Sequence, residues 1–360
     1  MGCMVIRDEV GRLPAYRFSH HPQPVKLDQN EAPDDLAGPL RAAVMRRLED
    51  AVFNRYPELH PLTLERAIAL RHDWDPAGVV VANGSNVLIQ ALVILSGLGR
   101  DVVSVTPTFA VYAAQARIMG AHLSEYPLSG GFKLPLSDLL QALAVGSGVM
   151  FLADPAAPSG NRHASADLAA LVRAASARGT WLSVIDEAYC EYAGSDDLAL
   201  VRDNDAAVSL RTFSKAAGLA GLRLGYALTS PEVAAELRKV LLPFSVGTLQ
   251  VAVGLTVLEQ PEIIAERVAR VVAERERLVR ALAAQPGVEV FPSVTNFLLF
   301  KVPEPARVHA GLLERGVVIR RQDHLPGAEG CLRVSVGTEH ENDVFLGALN
   351  ATLSGEVVHG

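Results

Sequence analysis

From about residue 79 the chain alternates short β-branched apolar runs with stretches of helical period. Val79-Val-Val-Ala and Asp101-Val-Val-Ser-Val-Thr read as strands, and Asn86 to Leu98 and Phe109 to Met119 read as helices. Further strands are expected over 149–154, 181–186, 207–212 and 222–228, with a helix over 164–178 between the first two. Runs that are apolar along their whole length suit strands buried on both faces, so the expectation is an α/β fold with a mostly parallel sheet between helices. In such sheets ligands sit beyond the carboxyl ends of the strands, which directs attention to Asn83, Asp154, Asp186 and Thr212 to Lys215.

After about residue 245 the pattern changes. A long helical region from Gln250 to Ala284 alternates Glu and Arg, the usual signature of a solvated helix face. Short strands around 288–291, 296–302, 317–320 and 331–336 follow, with helices near 306–315 and from 340, as in a compact α+β unit. The predicted organisation is an N-terminal arm over 1–40, a large domain over 41–245 and a smaller C-terminal domain over 246–360. A length of 360 residues is ample for two cores with a cleft between them.

Composition narrows the function classes. The chain is 49% hydrophobic and 20% charged, which sets disorder aside. A formal charge of -7 with no basic cluster argues against nucleic acid as a partner. The most apolar helical run, Val87 to Leu98, falls short of the roughly 20 residues a membrane span needs, and the N-terminus lacks a signal peptide's apolar core. Three cysteines, Cys3, Cys190 and Cys331, fit neither a metal-ligand spacing nor a disulfide framework. Reduced thiols in a cytoplasmic protein are expected.

Five of the 33 basic residues are lysines, so each is open to inspection. Lys26, Lys133, Lys239 and Lys301 lie at element edges or on a charged helix, where lysines are solvated. Lys215 follows a buried-type strand and opens the glycine-rich loop that runs to Gly225, where backbone can approach a ligand closely. An amine there is partly desolvated and so biased toward its neutral, nucleophilic form. Asp186 and Tyr189 leave the end of another buried strand together, a carboxylate for a pyridine nitrogen and a phenol for a phenolic oxygen. Gly84-Ser85-Asn86 opens a helix after a strand, and Ser214 and Arg223 flank Lys215, all suited to a phosphate. These are the parts that pyridoxal 5′-phosphate (PLP) chemistry requires, with Lys215 carrying the cofactor as a Schiff base.

Eight ordered segments carry a family resemblance over residues 27–338. They begin with Leu27-Asp-Gln-Asn-Glu, Arg55-Tyr-Pro, Asn83-Gly-Ser-Asn and Pro107-Thr-Phe-Ala-Val-Tyr. Asp186-Glu-Ala-Tyr, the run from Thr212 to Gly225, Thr295-Asn-Phe and Leu332-Arg-Val-Ser-Val-Gly-Thr complete them. The chain thus resembles the fold-type I PLP-dependent aminotransferases, most closely the histidinol-phosphate aminotransferase group. The resemblance implies Lys215 as the catalytic lysine, with Ser85, Asn86, Phe109, Asp186, Tyr189, Thr212, Ser214 and Arg223 on the cofactor. It further implies a homodimer in which Tyr56 crosses to the other subunit's site, and Tyr16, Asn30, Arg320 and Arg333 on the substrate. By the same resemblance the donor is histidinol phosphate and the acceptor 2-oxoglutarate, with ping-pong kinetics through Lys215.

One segment departs from the pattern. Where the family reads Asn-Pro-Asn-Asn-Pro-Thr-Gly, this chain has Asp154-Pro-Ala-Ala-Pro-Ser-Gly160. Ala157 therefore replaces an asparagine that bonds the cofactor's phenolic oxygen, a contact worth about 1.5–3 kcal/mol to a charged acceptor. Transamination of aromatic amino acids, decarboxylation of a phosphorylated amino acid on the same scaffold, and a non-catalytic descendant of such an enzyme stay open as alternatives. A nicotinamide-dependent dehydrogenase does not fit, because no G-x-G-x-x-G follows the early strands.

Overall fold

The computed structural model describes residues 5–13 and 23–355. A seven-stranded sheet forms the centre, and its spatial order is Val79–Ala82, Gly225–Thr229, Ala207–Thr212, Trp181–Asp186, Gly148–Ala153, Asp101–Thr106 and His122–Pro127. Every residue of Gly148–Ala153, Trp181–Asp186 and Ala207–Thr212 is buried, as expected of strands covered by helices on both faces. His122–Pro127 is the outer strand and carries the polar and exposed positions. Leu88, Ile89 and Leu92 from one helix pack with Tyr112 and Ala116 from another on one face, while Leu139, Leu168 and Leu171 close the other.

One strand departs from the parallel expectation. Gly225–Thr229 runs antiparallel to both of its neighbours, so its beginning lies at the edge where the parallel strands end. That reversal brings Arg223 beside Ser85 and Ser214. The fit there is close: a Cβ at Gly225 would stand 2.2 Å from the Ser85 amide nitrogen. Glycine is the residue that lets this strand press against the start of the Ser85–Leu92 helix.

A second, four-stranded sheet has the order Arg320–Arg321, Cys331–Ser335, Phe297–Lys301 and Glu289–Val290, all antiparallel. Short strands Val25–Lys26 and Val317–Val318 pair in parallel and tie the N-terminal segment to this region. The expected helix from Gln250 to Ala284 is two helices, Thr248–Leu258 and Pro261–Ala283, because Pro261 cannot continue a helix from Gln260. Its charge pattern is also not purely a solvated face. Arg267 and Arg275 are buried, and Arg267 donates to the carbonyls of Ala217 at 2.9 Å and Asp35 at 3.0 Å. Arg267 thereby braces the loop that starts at Lys215. No helix among the described residues is long and apolar enough to cross a membrane.

Candidate active site

Two adjoining clefts open at the carboxyl edge of the seven-stranded sheet. The inner one, ≈ 180 Å³, is lined by Ser85, Asn86, Phe109, Asp186, Tyr189, Thr212, Ser214, Lys215 and Arg223, together with Tyr112 and Ala157. The outer one, ≈ 260 Å³, shares Phe109, Ala157, Tyr189 and Lys215 and adds Asn30, Arg320 and Arg333. Residues from eight separate stretches of chain therefore converge on these two clefts. Tyr56 lies elsewhere on the surface, 85% exposed and packed on Phe244 at 5.0 Å between ring centroids. Tyr16 falls outside the described residues.

Lys215 sits where the two clefts meet. Its Nζ donates to the carbonyl oxygens of Gln29 and Asn30, both at 3.0 Å, and lies 5.6 Å from the centre of the Tyr189 ring. Burial lowers its pKa, and the nearby Arg333 and Arg223 push in the same direction, while Tyr189 and Glu31 oppose them. Neutral amine is thus more abundant than on a solvated lysine.

Asp186 ends the central strand and is buried, with its pKa raised to about 6 chiefly by that burial. Its Oδ2 accepts from the Tyr112 hydroxyl at 2.7 Å, and its Oδ1 accepts from the Ala188 amide at 3.2 Å. Tyr112 closes the Pro107-Thr-Phe-Ala-Val-Tyr segment, and the sequence assigns it no role. It is fully buried, stacked on Phe151 at 5.0 Å and edge-on to Phe109. Its position three residues after Phe109, in the first turn of the helix Val111–Met119, was the available signal.

The Asn30 side chain is oriented by its neighbours. Ser335 Oγ donates to its Oδ1 at 3.3 Å, so its amide group is the donor to Tyr189 Oη at 3.0 Å. With that acceptor position filled, the Tyr189 hydroxyl proton is left for the cleft. Asn296, from the Thr295-Asn-Phe motif, holds the same segment by donating to the Asn30 carbonyl at 3.0 Å.

At the far end of the inner cleft is a corner suited to an anion. Gly84 precedes the Ser85–Leu92 helix with φ +86, and among the described residues no side chain caps the helix's first amides. A Cβ at Gly84 would stand 2.9 Å from a guanidinium nitrogen of Arg223, so glycine leaves this cradle open. Arg223 itself adopts φ 57, and Gln250 stabilises that turn by donating to the carbonyls of Leu222 at 3.0 Å and Arg223 at 3.1 Å. The Thr212 hydroxyl accepts from the Ser214 amide at 3.1 Å and shapes the turn between them. In the outer cleft Arg320 and Arg333 are cross-strand partners, and Arg333 donates to the Asp28 carbonyl at 2.9 Å. Two guanidiniums side by side can bind a carboxylate or phosphate through several hydrogen bonds.

The profile of the family described as aminotransferase class I and II matches residues 22–349. The chain belongs to that family. The aminotransferase is 46% identical to histidinol-phosphate aminotransferase of Deinococcus radiodurans over 96% of each chain. It is 38% identical to histidinol-phosphate aminotransferase 1 of Ralstonia nicotianae, over 97% of this chain and 94% of that one. Among solved structures, histidinol-phosphate aminotransferase from Sinorhizobium meliloti in complex with pyridoxal-5′-phosphate has the same fold, with a TM-score of 0.89 at 24% identity and 98% coverage of both chains.

PLP is the aminotransferase's cofactor, and the residues present fit it. The open cradle at Gly84 suits its phosphate, the buried carboxylate of Asp186 suits its ring nitrogen, and Tyr189 and Lys215 line the same cleft. Ala157 offers only a methyl group there. It is 8% exposed and borders both clefts.

Proposed function

We propose that this aminotransferase takes the amino group from histidinol phosphate and passes it to 2-oxoglutarate, a step of histidine biosynthesis in the cytoplasm. The observation that carries the substrate assignment is the pair Arg320 and Arg333 on the outer cleft beside Lys215, which suits a doubly charged phosphate. The 46% identity to a histidinol-phosphate aminotransferase along 96% of the chain supports it.

When bound, PLP supplies an electron sink for the charge left on the substrate's α-carbon as its proton departs. In this reading Ser85, Asn86, Ser214 and Arg223 hold the cofactor's phosphate, Thr212 sets the turn between two of them, and Phe109 covers the ring. Asp186 holds the ring nitrogen, and Tyr189 donates to the phenolic oxygen because Asn30 has filled its acceptor position. Lys215 Nζ would take the proton from the substrate's α-carbon, and its lowered pKa favours that role. Arg333, Arg320 and Tyr16 hold the substrate's anionic end.

The reading includes a homodimer. Val52, Phe53, Tyr56 and Leu59 form an exposed apolar stretch, with Leu242 and Phe244 also exposed and the Phe244 ring against Tyr56. A second copy of the chain covers that surface and brings Tyr56 to its neighbour's phosphate corner.

The deciding measurement mixes the PLP-loaded protein with histidinol phosphate, phenylalanine, aspartate and phosphothreonine in turn and follows conversion of the cofactor to its amino form. Histidinol phosphate is expected to react fastest. The substrate assignment is wrong if it ranks among the slowest, and release of CO₂ without amino transfer to 2-oxoglutarate would replace transamination with decarboxylation.

A further inference from the structure

One buried polar side chain on the outer cleft has no task in the reading above. Gln322 follows the strand Arg320–Arg321, is 6% exposed and lines that cleft. Its backbone is fully engaged: the amide donates to the Cys331 carbonyl at 3.0 Å and the carbonyl accepts from Leu325 at 2.9 Å. Its carboxamide makes no hydrogen bond among the described residues, yet its polar atoms are not sealed within protein. Water reaches the carboxamide in the open cleft, and a substrate that displaces this water leaves the group unsatisfied at a cost unless it supplies hydrogen bonds of its own.

The amide bond from Gln322 to the Cys331 carbonyl carries the pairing one residue past the strand, which puts Gln322 on the same face as Arg320, and Arg320 faces Arg333 across the pair. Two residues along a strand span roughly 6.5 Å. A substrate whose anion rests on the two arginines therefore meets a neutral hydrogen-bonding group about one such step away. An imidazole suits this position. Its pKa near 6.5 leaves it mostly uncharged at neutral pH, with one N–H and one bare ring nitrogen. A carboxamide carries a donor and an acceptor, and by turning over it serves either ring tautomer. Leu325 and Phe109 add apolar surface for a flat ring.

We propose that Gln322 is a specificity-determining residue that reads the imidazole of the amino donor while Arg320 and Arg333 hold its phosphate. The proposal rests on the histidinol phosphate reading above. A site built to hydrogen-bond a group discriminates strongly against an analogue lacking it, because the protein's own polar group is then stranded.

The test compares two donors, histidinol phosphate and the phosphate ester of phenylalaninol, which keeps amine and phosphate but replaces imidazole by phenyl. Gln322→Met preserves length and removes the hydrogen bond. It is expected to lower kcat/KM for histidinol phosphate by about 10–100-fold, while the phenyl donor changes less than about threefold. Calorimetry on the cofactor-free protein gives a readout without turnover. There the variant binds histidinol phosphate about tenfold more weakly and inorganic phosphate unchanged. A melting curve checks the fold, and Gln322→Leu replaces the methionine variant if that one does not fold. Equal loss for both donors, or loss for neither, overturns the proposal. A wild-type enzyme that ignores histidinol phosphate is a different result, visible before any variant is made, and overturns the substrate reading together with this one.

Discussion

Replacing Tyr112 with phenylalanine tests how the protein sets the charge on Asp186. The hydroxyl lies 2.7 Å from Asp186 Oδ2 and both groups are buried, so the substitution removes one hydrogen bond to a carboxylate and nothing else of size. Such a bond is worth about 1.5–3 kcal/mol. At 1.36 kcal/mol per pH unit, its loss raises the Asp186 pKa by about one to two units. Burial has already lifted it to about 6, with the Tyr112 bond among the influences holding it down, so at least about half of the variant's carboxyl is protonated at pH 7. The sign for stability follows. A carboxyl whose folded pKa lies above its unfolded value favours folding fully below the unfolded pKa, and that contribution disappears as pH rises through about 6. In the variant the same loss extends to higher pH. Carboxyl-carbon NMR of the cofactor-free protein, with Asp186→Asn to assign the resonance, follows the midpoint directly. PLP affinity measured alongside is expected to fall more at pH 7 than at pH 9. An Asp186 midpoint that stays within about 0.3 unit of wild type would refute the reasoning, since a charged acceptor cannot lose such a bond without a response near the size given above.

Lys215→Ala is expected to abolish turnover and change the absorbance of bound PLP to that of the free aldehyde, while circular dichroism and the melting curve stay near wild type; activity above about one part in a thousand would contradict general-base work by this amine. Ala157→Asn restores a donor beside Tyr189 and is expected to tighten PLP binding up to about tenfold, roughly one hydrogen bond. Dialysis titration with PLP reads this change, and weaker binding would mean that the surroundings of Ala157 no longer accept an amide.

The residues legible from sequence share one property: each is placed by its immediate neighbours. Asp186 ends an all-buried strand, Ser85 starts a helix directly after one, and Lys215 stands between a strand and a glycine-rich loop. Burial pattern, turn and helix start are local consequences of local composition, so a strand end announces which side chains leave the sheet at its functional edge. Ala157 was legible for another reason, as a break in an ordered motif.

What tertiary structure alone decided are relations between distant segments. The direction of Gly225–Thr229 is set by its neighbours in the sheet, and only its antiparallel course brings Arg223 to the phosphate corner. Asn30 orients Tyr189 across 159 positions, because Ser335 and Asn296 fix the N-terminal segment against the second sheet. Arg267 lies in a run whose charges alternate as on a solvated face, since periodicity records the helix's charges but not what packs against them; the carbonyls of Ala217 and Asp35 make it a buried brace. Gln322 is a polar residue in a weak pattern until the fold sets it on the outer cleft, where its carboxamide has no hydrogen-bond partner among the described residues. Hydrogen-bond satisfaction inside a protein is a property of the packed whole, and a linear pattern carries the groups that need partners without saying where the partners come from.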